Sequence, residues 1–146
     1  MTELVMKRRF AQDAAKVFAF VTRKEFLLKW WGPEGVQESA GQLDLSHLGS
    51  WSSTMIGGEG EQFHVSGMVV LYEPDNAVEF TWGWHDETGE RGHESKVRFD
   101  VVPAENGGCI FTMTHSGLTE EDAAHDHETG WTSSFVCLEE ELATLP

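Results

Sequence analysis

The sequence is short of basic residues. Lys and Arg together number 10 against 25 Asp and Glu, which gives a formal net charge of −15. Nucleic-acid affinity comes mostly from Lys and Arg that neutralise phosphates, so this balance argues against a nucleic-acid partner. The same repulsion argues against an anionic membrane surface. The one basic cluster, Lys7-Arg8-Arg9, is expected on the solvated face of an edge-like first strand.

Cysteine, proline and long apolar runs are scarce as well. Cys109 and Cys137 are too few for a secreted disulfide scaffold, and their apolar surroundings predict small buried hydrophobes. No apolar run approaches the ~20 residues that span a bilayer, and the N-terminus lacks a charged-then-apolar signal region. We therefore expect a cytoplasmic protein. A hydrophobic fraction of 40% in 146 residues, without repeats, predicts one domain over residues 1–146.

The N-terminal third predicts one strand and two short helices. Alternation from Leu4 to Phe10 indicates the strand. Asp13 can cap a first helix, and the Thr22–Glu25 spacing predicts a capping box for a second helix that Gly32-Pro33 ends. The predicted apolar positions of the two helices are Ala14, Val17, Phe18, Val21, Phe26, Leu27, Trp30 and Trp31.

From residue 34 to 116 the apolar period becomes two, with turn signals between the runs. Such alternation is typical of antiparallel strands with one buried face and one wet face. We expect Val65, Gly67, Val69 and Leu71 to share one face. The predicted strands cover residues 36–45, 49–56, 63–72, 78–84, 96–101 and 109–115.

Helical periodicity returns from Thr119 to Leu145, with Thr119 and Asp122 as the expected cap. Its apolar stripe consists of Trp131, Phe135, Leu138 and Leu142. This helix is the only large partner for the buried face of a sheet of six or seven strands. The sequence therefore predicts an α+β fold in which a curved antiparallel sheet wraps a long C-terminal helix and encloses an apolar cavity.

A set of short segments, in a fixed order along the chain, accompanies this layout. They are Lys16-Val17-Phe18, Lys29 to Pro33, Gly49-Ser50-Trp51, Gly67, Tyr72-Glu73-Pro74, Val78 to Trp82, Thr114 to Leu118 and Gly130-Trp131. With these segments the chain resembles the helix-grip, START-like (SRPBCC) superfamily, and in particular its bacterial branch related to the activator of the heat-shock-protein ATPase. The resemblance covers essentially the whole chain. One departure is Leu48, which stands where the family often has the first Gly of a pair.

The resemblance implies a fold and a pocket but no particular reaction, because the family includes small-molecule binders, cyclase-like proteins, resistance proteins and chaperone regulators. The aromatic residues supply the candidate lining of that pocket. Trp30, Phe80 and Trp131 are expected to serve mainly as core. The predicted ligand-binding residues are Trp31, Trp51, Met55, Val69, Leu71, Trp82, Trp84, Phe99, Phe111, Met113, His115 and Phe135.

Histidine and nucleophile patterns favour neither a metal site nor a catalytic site. His125 and His127 are two apart on a helix and point in different directions, whereas His85 and His93 flank a hairpin and could approach each other. No nucleophile motif is present, so we predict no metal, no cofactor and no catalytic residue. His115 is expected at the pocket rim, either as a structural side chain bonded to backbone near Ser116 or as a hydrogen-bonding or acid/base group.

Three functions follow as hypotheses. The first is a non-enzymatic domain that binds a small hydrophobic or aromatic molecule. The second is a cyclase- or hydrolase-like enzyme that uses His115 in the same pocket. The third is a chaperone-regulator-like interaction module, which a lone domain without an added partner-binding region supports less well. The ligand and the oligomeric state, a homodimer included, are left open.

Overall fold

The computed structural model describes residues 2–31, 37–40, 43–56, 60, 62–86, 88–105, 107–119 and 127–144. Seven strands and three helices occur in these ranges. The strands are β1 Thr2–Phe10, β2 Gln37–Ala40, β3 Gly49–Ile56, β4 Gln62–Glu73, β5 Ala77–His85, β6 Arg91–Pro103 and β7 Cys109–Leu118. The helices are α1 Ala14–Thr22, α2 Lys24–Trp30 and α3 His127–Ala143.

All seven strands form one antiparallel sheet in the order β1-β7-β6-β5-β4-β3-β2. The predicted α+β helix-grip architecture is confirmed. β1 and β2 lie at the two edges, and the strands from β2 to β7 follow the chain order. The inner face of the sheet packs against α1, α2 and α3, where the buried apolar side chains form one continuous core. Among the described residues, no helix is long and apolar enough to cross a membrane.

The predicted cap of α1 is confirmed, whereas the predicted cap of α2 is wrong. The Asp13 carboxylate accepts from the Lys16 backbone N–H at 2.8 Å. Thr22 is the last residue of α1, and its hydroxyl donates to the Phe18 carbonyl at 2.7 Å. The capping box fails because Thr22 belongs to the last turn of α1, and its hydroxyl is used within that turn. Arg23 takes the cap position of α2 without a side-chain bond.

The strand predicted over residues 36–45 is shorter than expected. β2 covers only Gln37–Ala40, and residues 43–45 are not part of any strand. The Leu45 backbone N–H donates at 2.8 Å to the Thr22 carbonyl, at the end of α1. Leu43 and Leu45 are both buried, so their apolar side chains serve the helix layer and not a longer β2.

A bulge in β4 moves Leu71 away from the face on which it was predicted. The register against β5 shifts between Val69 and Leu71. Val69 lies opposite the buried Phe80, but Leu71 lies opposite Glu79. Tyr72 replaces Leu71 on the inner face, where its ring lies 5.6 Å from that of Phe18. One extra residue in a strand reverses every later side chain, because the side-chain period is two.

The C-terminal helix buries the predicted stripe. Trp131, Phe135, Leu138 and Leu142 are each at most 5% exposed. The predicted start of this helix includes residues 120–126, which lie outside the described residues, so the predicted cap at Thr119 and Asp122 is not tested. Arg8, which was expected in solvent, faces this helix: its guanidinium lies 5.7 Å from the Phe135 ring centre and 3.4 Å from the Glu139 carboxylate.

The absence of a side chain at Gly67 in β4 lets the Trp51 side chain of β3 reach across to β5. Trp51 lies opposite Gly67 in the β3–β4 pair, and its indole N–H donates to the Thr81 carbonyl of β5 at 3.0 Å. A Cβ at residue 67 would lie 2.0 Å from that same carbonyl oxygen. At Gly83 a Cβ would instead meet the guanidinium of Arg91 at 2.4 Å. The Thr81 backbone is held in the sheet and cannot move aside easily, whereas the flexible Arg91 side chain can.

The two glycines therefore provide a matched test of this geometry. Gly67→Ala should lower the free energy of unfolding by about 2–3 kcal/mol, because the β5 backbone must shift. Gly83→Ala should lower it by about 1 kcal/mol or less, because Arg91 can turn away. Urea unfolding of both variants measures the difference. An equal loss of unfolding free energy in the two variants would contradict the conclusion that residue 67 must lack a side chain.

Candidate functional site

The predicted ligand-binding residues come together on the inner face of the sheet and on the helices that cover it, with one exception. Leu71 lies outside this set because of the β4 bulge. Trp84 is half-buried. The other ten residues are at most 5% exposed: Trp31, Trp51, Met55, Val69, Trp82, Phe99, Phe111, Met113, His115 and Phe135. Whether they contact a ligand stays a prediction.

One part of this set forms a distinct group, here called the aromatic cluster. It consists of Trp31, Trp51, Trp82, Trp84, His115, His127 and Trp131. Trp82 is its centre, because the ring centroids of the other six lie between 5.4 and 6.0 Å from that of Trp82. The cluster joins β3, β5 and β7 to the end of α2 and the start of α3.

The aromatic cluster reaches from the core to the surface. Trp82 contacts Trp131, which in turn lies 6.0 Å from the fully buried Phe99. On the other side Trp82 contacts Trp84 and His127, and both of these are half-buried. A continuous path of ring-to-ring contacts therefore connects two half-buried side chains to the centre of the fold.

Five of the six tryptophans in the chain have a hydrogen-bond partner for the indole N–H. Trp30 donates to the Phe20 carbonyl at 2.8 Å and Trp31 to the Ser53 hydroxyl at 3.0 Å. Trp51 donates to the Thr81 carbonyl at 3.0 Å. The remaining pairs are Trp84 with His127 Nε2 at 3.4 Å and Trp131 with His115 Nδ1 at 3.2 Å.

Trp82 is the exception. Its Nε1 is buried and has no hydrogen-bond partner among the residues that the structure describes. The residue is 5% exposed. A buried donor left without an acceptor costs about 1–3 kcal/mol, and such groups are rare in native structures.

His115 is held in a single protonation state by its two partners. The Trp131 indole can only donate, so His115 Nδ1 must be the unprotonated acceptor. His115 Nε2 then carries the hydrogen and donates to the Ser95 hydroxyl at 2.8 Å. Ser95 can in turn donate to the Trp82 carbonyl at 3.4 Å. This chain of bonds links α3, β7, β6 and β5 through a neutral imidazole.

The electrostatics of the site support the same protonation state. Burial and the neighbouring His127, whose ring lies 4.5 Å away, lower the pKa of His115 to about 3. His115 is 0% exposed, so it lies inside the core and not at the rim where it was expected. Its bonds run to Ser95 and Trp131 side chains and not to backbone near Ser116.

Sequence reasoning missed two members of this arrangement, although the signals were present. Ser95 continues the inward alternation of Val97 and Phe99 in β6. His127 stands four residues before Trp131, which places both on one face of α3. The predicted divergence of the His125 and His127 side chains stays a prediction, because His125 lies outside the described residues.

The other candidate reactive groups are not assembled into a centre. Within the described ranges, no three His, Cys, Asp or Glu side chains lie close enough to hold a metal. His85 contacts His64, with ring centroids 4.4 Å apart, while His93 bonds the Gly117 carbonyl at 2.7 Å. Burial raises the pKa of the Cys109 thiol, which keeps it protonated and unreactive at neutral pH.

A concavity lies on the outer face of the sheet, away from the aromatic cluster. It is an open groove of about 360 Å³ between β3, β4, β5 and β6. Of the predicted ligand-binding residues only Trp51 borders it. Its single arginine, Arg91, is already bonded to the Ser66 carbonyl at 2.8 Å and to Glu94 at 3.1 Å. The predicted site and this groove are therefore on opposite faces of the sheet.

Comparison with known proteins supports the fold and the family. Residues 11–143 match the family described as Activator of Hsp90 ATPase homolog 1-like protein. The crystal structure of an AHSA1 protein from Silicibacter pomeroyi is 42% identical, with a TM-score of 0.92, over 97% of this chain and 98% of that chain. No curated protein matches the sequence.

More distant structures share the fold alone. A protein from Rhodobacter sphaeroides is 21% identical with a TM-score of 0.83, over 99% of this chain and 94% of that chain. A protein from Chromobacterium violaceum is 14% identical with a TM-score of 0.81, over 96% of each chain. With its family match over most of its length, this chain belongs to the family of Activator of Hsp90 ATPase homolog 1-like proteins and has the helix-grip fold.

Proposed function

We propose that this protein binds a small, uncharged, hydrophobic or aromatic molecule at the aromatic cluster, between the inner face of the sheet and α3. The observation that carries the proposal is the aromatic path from the half-buried Trp84 and His127 to the buried Trp82. Aromatic faces offer large apolar contact area and stack well on flat ligands. A cytoplasmic location stays a prediction.

The charge distribution favours an uncharged ligand. Among the described residues, the buried polar side chains are Thr22, Ser53, Ser95, His115 and Ser134, and none of them carries a charge. An ion moved into such surroundings loses its hydration without gaining a partner of opposite charge, which is strongly unfavourable.

Mass spectrometry of the protein purified from its native host tests the proposal most directly. We expect a small neutral molecule bound one-to-one under native conditions and released on denaturation. The mass of the released molecule gives the ligand class. A bare chain mass, together with no uptake of added aromatic probes, would contradict the proposal.

A fluorescence titration locates the site. Neutral phenylnaphthylamine should bind with quenching of Trp emission, and Trp84→Ala should weaken that binding about 10-fold, since one aromatic contact contributes about 1–1.5 kcal/mol. Met68→Ser is the matched control, because Met68 is 49% exposed and borders the groove on the opposite face. Equal weakening in both variants would place the probe elsewhere.

An enzyme that uses His115 as an acid or base is the second hypothesis, and the geometry gives it less support. Both ring nitrogens of His115 are engaged by Ser95 and Trp131. A catalytic pKa works best near the operating pH, whereas that of His115 is lowered to about 3. A chaperone-regulator role draws support only from the family description, and a pull-down that recovers no ATPase chaperone would count against it.

The state of His115 predicts a definite pH dependence of stability. The unfolded chain binds a proton at this residue below about pH 6.5, whereas the folded protein resists protonation down to about 3. The unfolded state therefore binds more protons in this window, and stability falls as the pH falls through it. Between about pH 7 and pH 5 this one group should remove about 2 kcal/mol of unfolding free energy.

Denaturant unfolding at the two pH values measures this loss. His115→Asn keeps an acceptor for Trp131 but does not titrate, so the loss should be smaller in the variant by about 2 kcal/mol. NMR of the histidine rings provides a direct control, since the His115 signals should not move between these pH values. A His115 ring that titrates near pH 6 would contradict the assigned neutral state.

A further inference from the structure

We propose that the indole N–H of Trp82 is the hydrogen-bond donor of the binding site, and that the ligand carries an uncharged oxygen acceptor such as a carbonyl. This inference rests on the proposed function, since it names one chemical feature of the molecule bound at the aromatic cluster. The carrying observation is the buried Trp82 Nε1 without a partner among the described residues.

The other five tryptophans show that an indole N–H without a hydrogen-bond partner is an exception among the described residues. Each of the five remaining indoles donates to an acceptor within 3.4 Å, including the half-buried Trp84. The fold thus satisfies indole donors in β3, β5, α2 and α3. Trp82, which lies at the centre of the aromatic cluster, is the one whose donor has no partner in the described part of the chain.

The hydrogen-bond acceptors near Trp82 already accept bonds from other donors. His115 Nδ1 accepts from Trp131, and His127 Nε2 accepts from Trp84. An unprotonated imidazole nitrogen has one lone pair, so neither ring can accept a second bond at that atom. The Thr81 carbonyl accepts from Trp51, and although its oxygen has a second lone pair, Trp82 Nε1 makes no bond to it. A partner for the Trp82 donor must therefore come from outside this set.

The class of ligand follows from the surroundings of that donor. Apolar rings on several sides favour a flat hydrophobic body. A carboxylate would also accept the bond, but no buried cation accompanies Trp82 among the described residues, and the chain has a net charge of −15. A neutral carbonyl, ether or hydroxyl oxygen satisfies the donor without bringing a charge into the core.

Two pairs of probes test this inference: indane with indanone, and fluorene with fluorenone. Within each pair the shape is nearly constant and only the carbonyl differs. The quantity to compare is the ratio of ketone affinity to hydrocarbon affinity, measured by Trp quenching or by NMR. Taking this ratio in each variant cancels the cost of removing the ketone from water, which a single affinity would include.

Trp82→Phe keeps an aromatic ring and removes the donor, so the ratio should fall about 3- to 10-fold. Trp30→Phe is the matched control, because Trp30 lies outside the aromatic cluster and its N–H is bonded to the Phe20 carbonyl at 2.8 Å, and it should leave the ratio unchanged. In the wild-type protein, indanone should move the proton signal of Trp82 Nε1–H further downfield than indane does, because the two probes share the same ring current and only the ketone accepts the hydrogen bond. This signal does not depend on how well the variant folds.

The outcomes separate the two proposals. If neither pair binds at the aromatic cluster, the proposed function fails and this inference fails with it. If both members of a pair bind, but Trp82→Phe leaves the ratio unchanged and the ketone and the hydrocarbon move the Nε1–H signal equally, the binding function holds and the inference is overturned. A fall in the ratio specific to Trp82→Phe, with a downfield shift of Nε1–H specific to the ketone, supports both.

Discussion

The bond from the Trp131 indole to His115 Nδ1 joins α3 to the middle of the sheet, and several other features depend on it. Because an indole N–H can only donate, the imidazole must be neutral and must carry its hydrogen on Nε2. That hydrogen is directed to Ser95, whose hydroxyl faces the Trp82 carbonyl. One donor on the helix thus fixes the tautomer, the ring orientation and the polar contacts of two further strands.

The same arrangement explains why a titratable group can occupy the centre of the core. Protonation would put a second hydrogen on Nδ1, directly against the Trp131 N–H, with His127 beside it. Burial adds a desolvation penalty for the charged form. A buried polar group whose partners are all satisfied strengthens a unique packing, whereas an unsatisfied one weakens it. His115 is of the first kind, and Trp82 is of the second.

The sequence pattern correctly predicts features that follow from periodicity. Its predictions fail where a local contact overrides that periodicity. Alternation places Trp51, Phe99 and Met113 on the inner face, because a strand exposes alternate residues to the core. It misplaces Leu71, since one extra residue in β4 reverses the alternation. The depth of His115 also depends on how closely α3 approaches the sheet, which no pattern within one strand contains. Distant partners, such as Ser95 and Trp131, are fixed only by the assembled fold.

A purely structural role explains most residues of the aromatic cluster, but it does not explain why residue 82 at its centre is a Trp. Phe80 and Phe99 show that this sheet fills its core with rings that bring no polar atom. Phe at residue 82 would fill much of the same space without an unsatisfied donor, which costs about 1–3 kcal/mol when buried. Sites that break a local rule in an otherwise consistent fold are where function is expected. A ligand acceptor that reaches Trp82 Nε1 along the path from Trp84 and His127 would remove this cost on binding. The free energy recovered is then part of the affinity, and it discriminates against ligands that lack the acceptor.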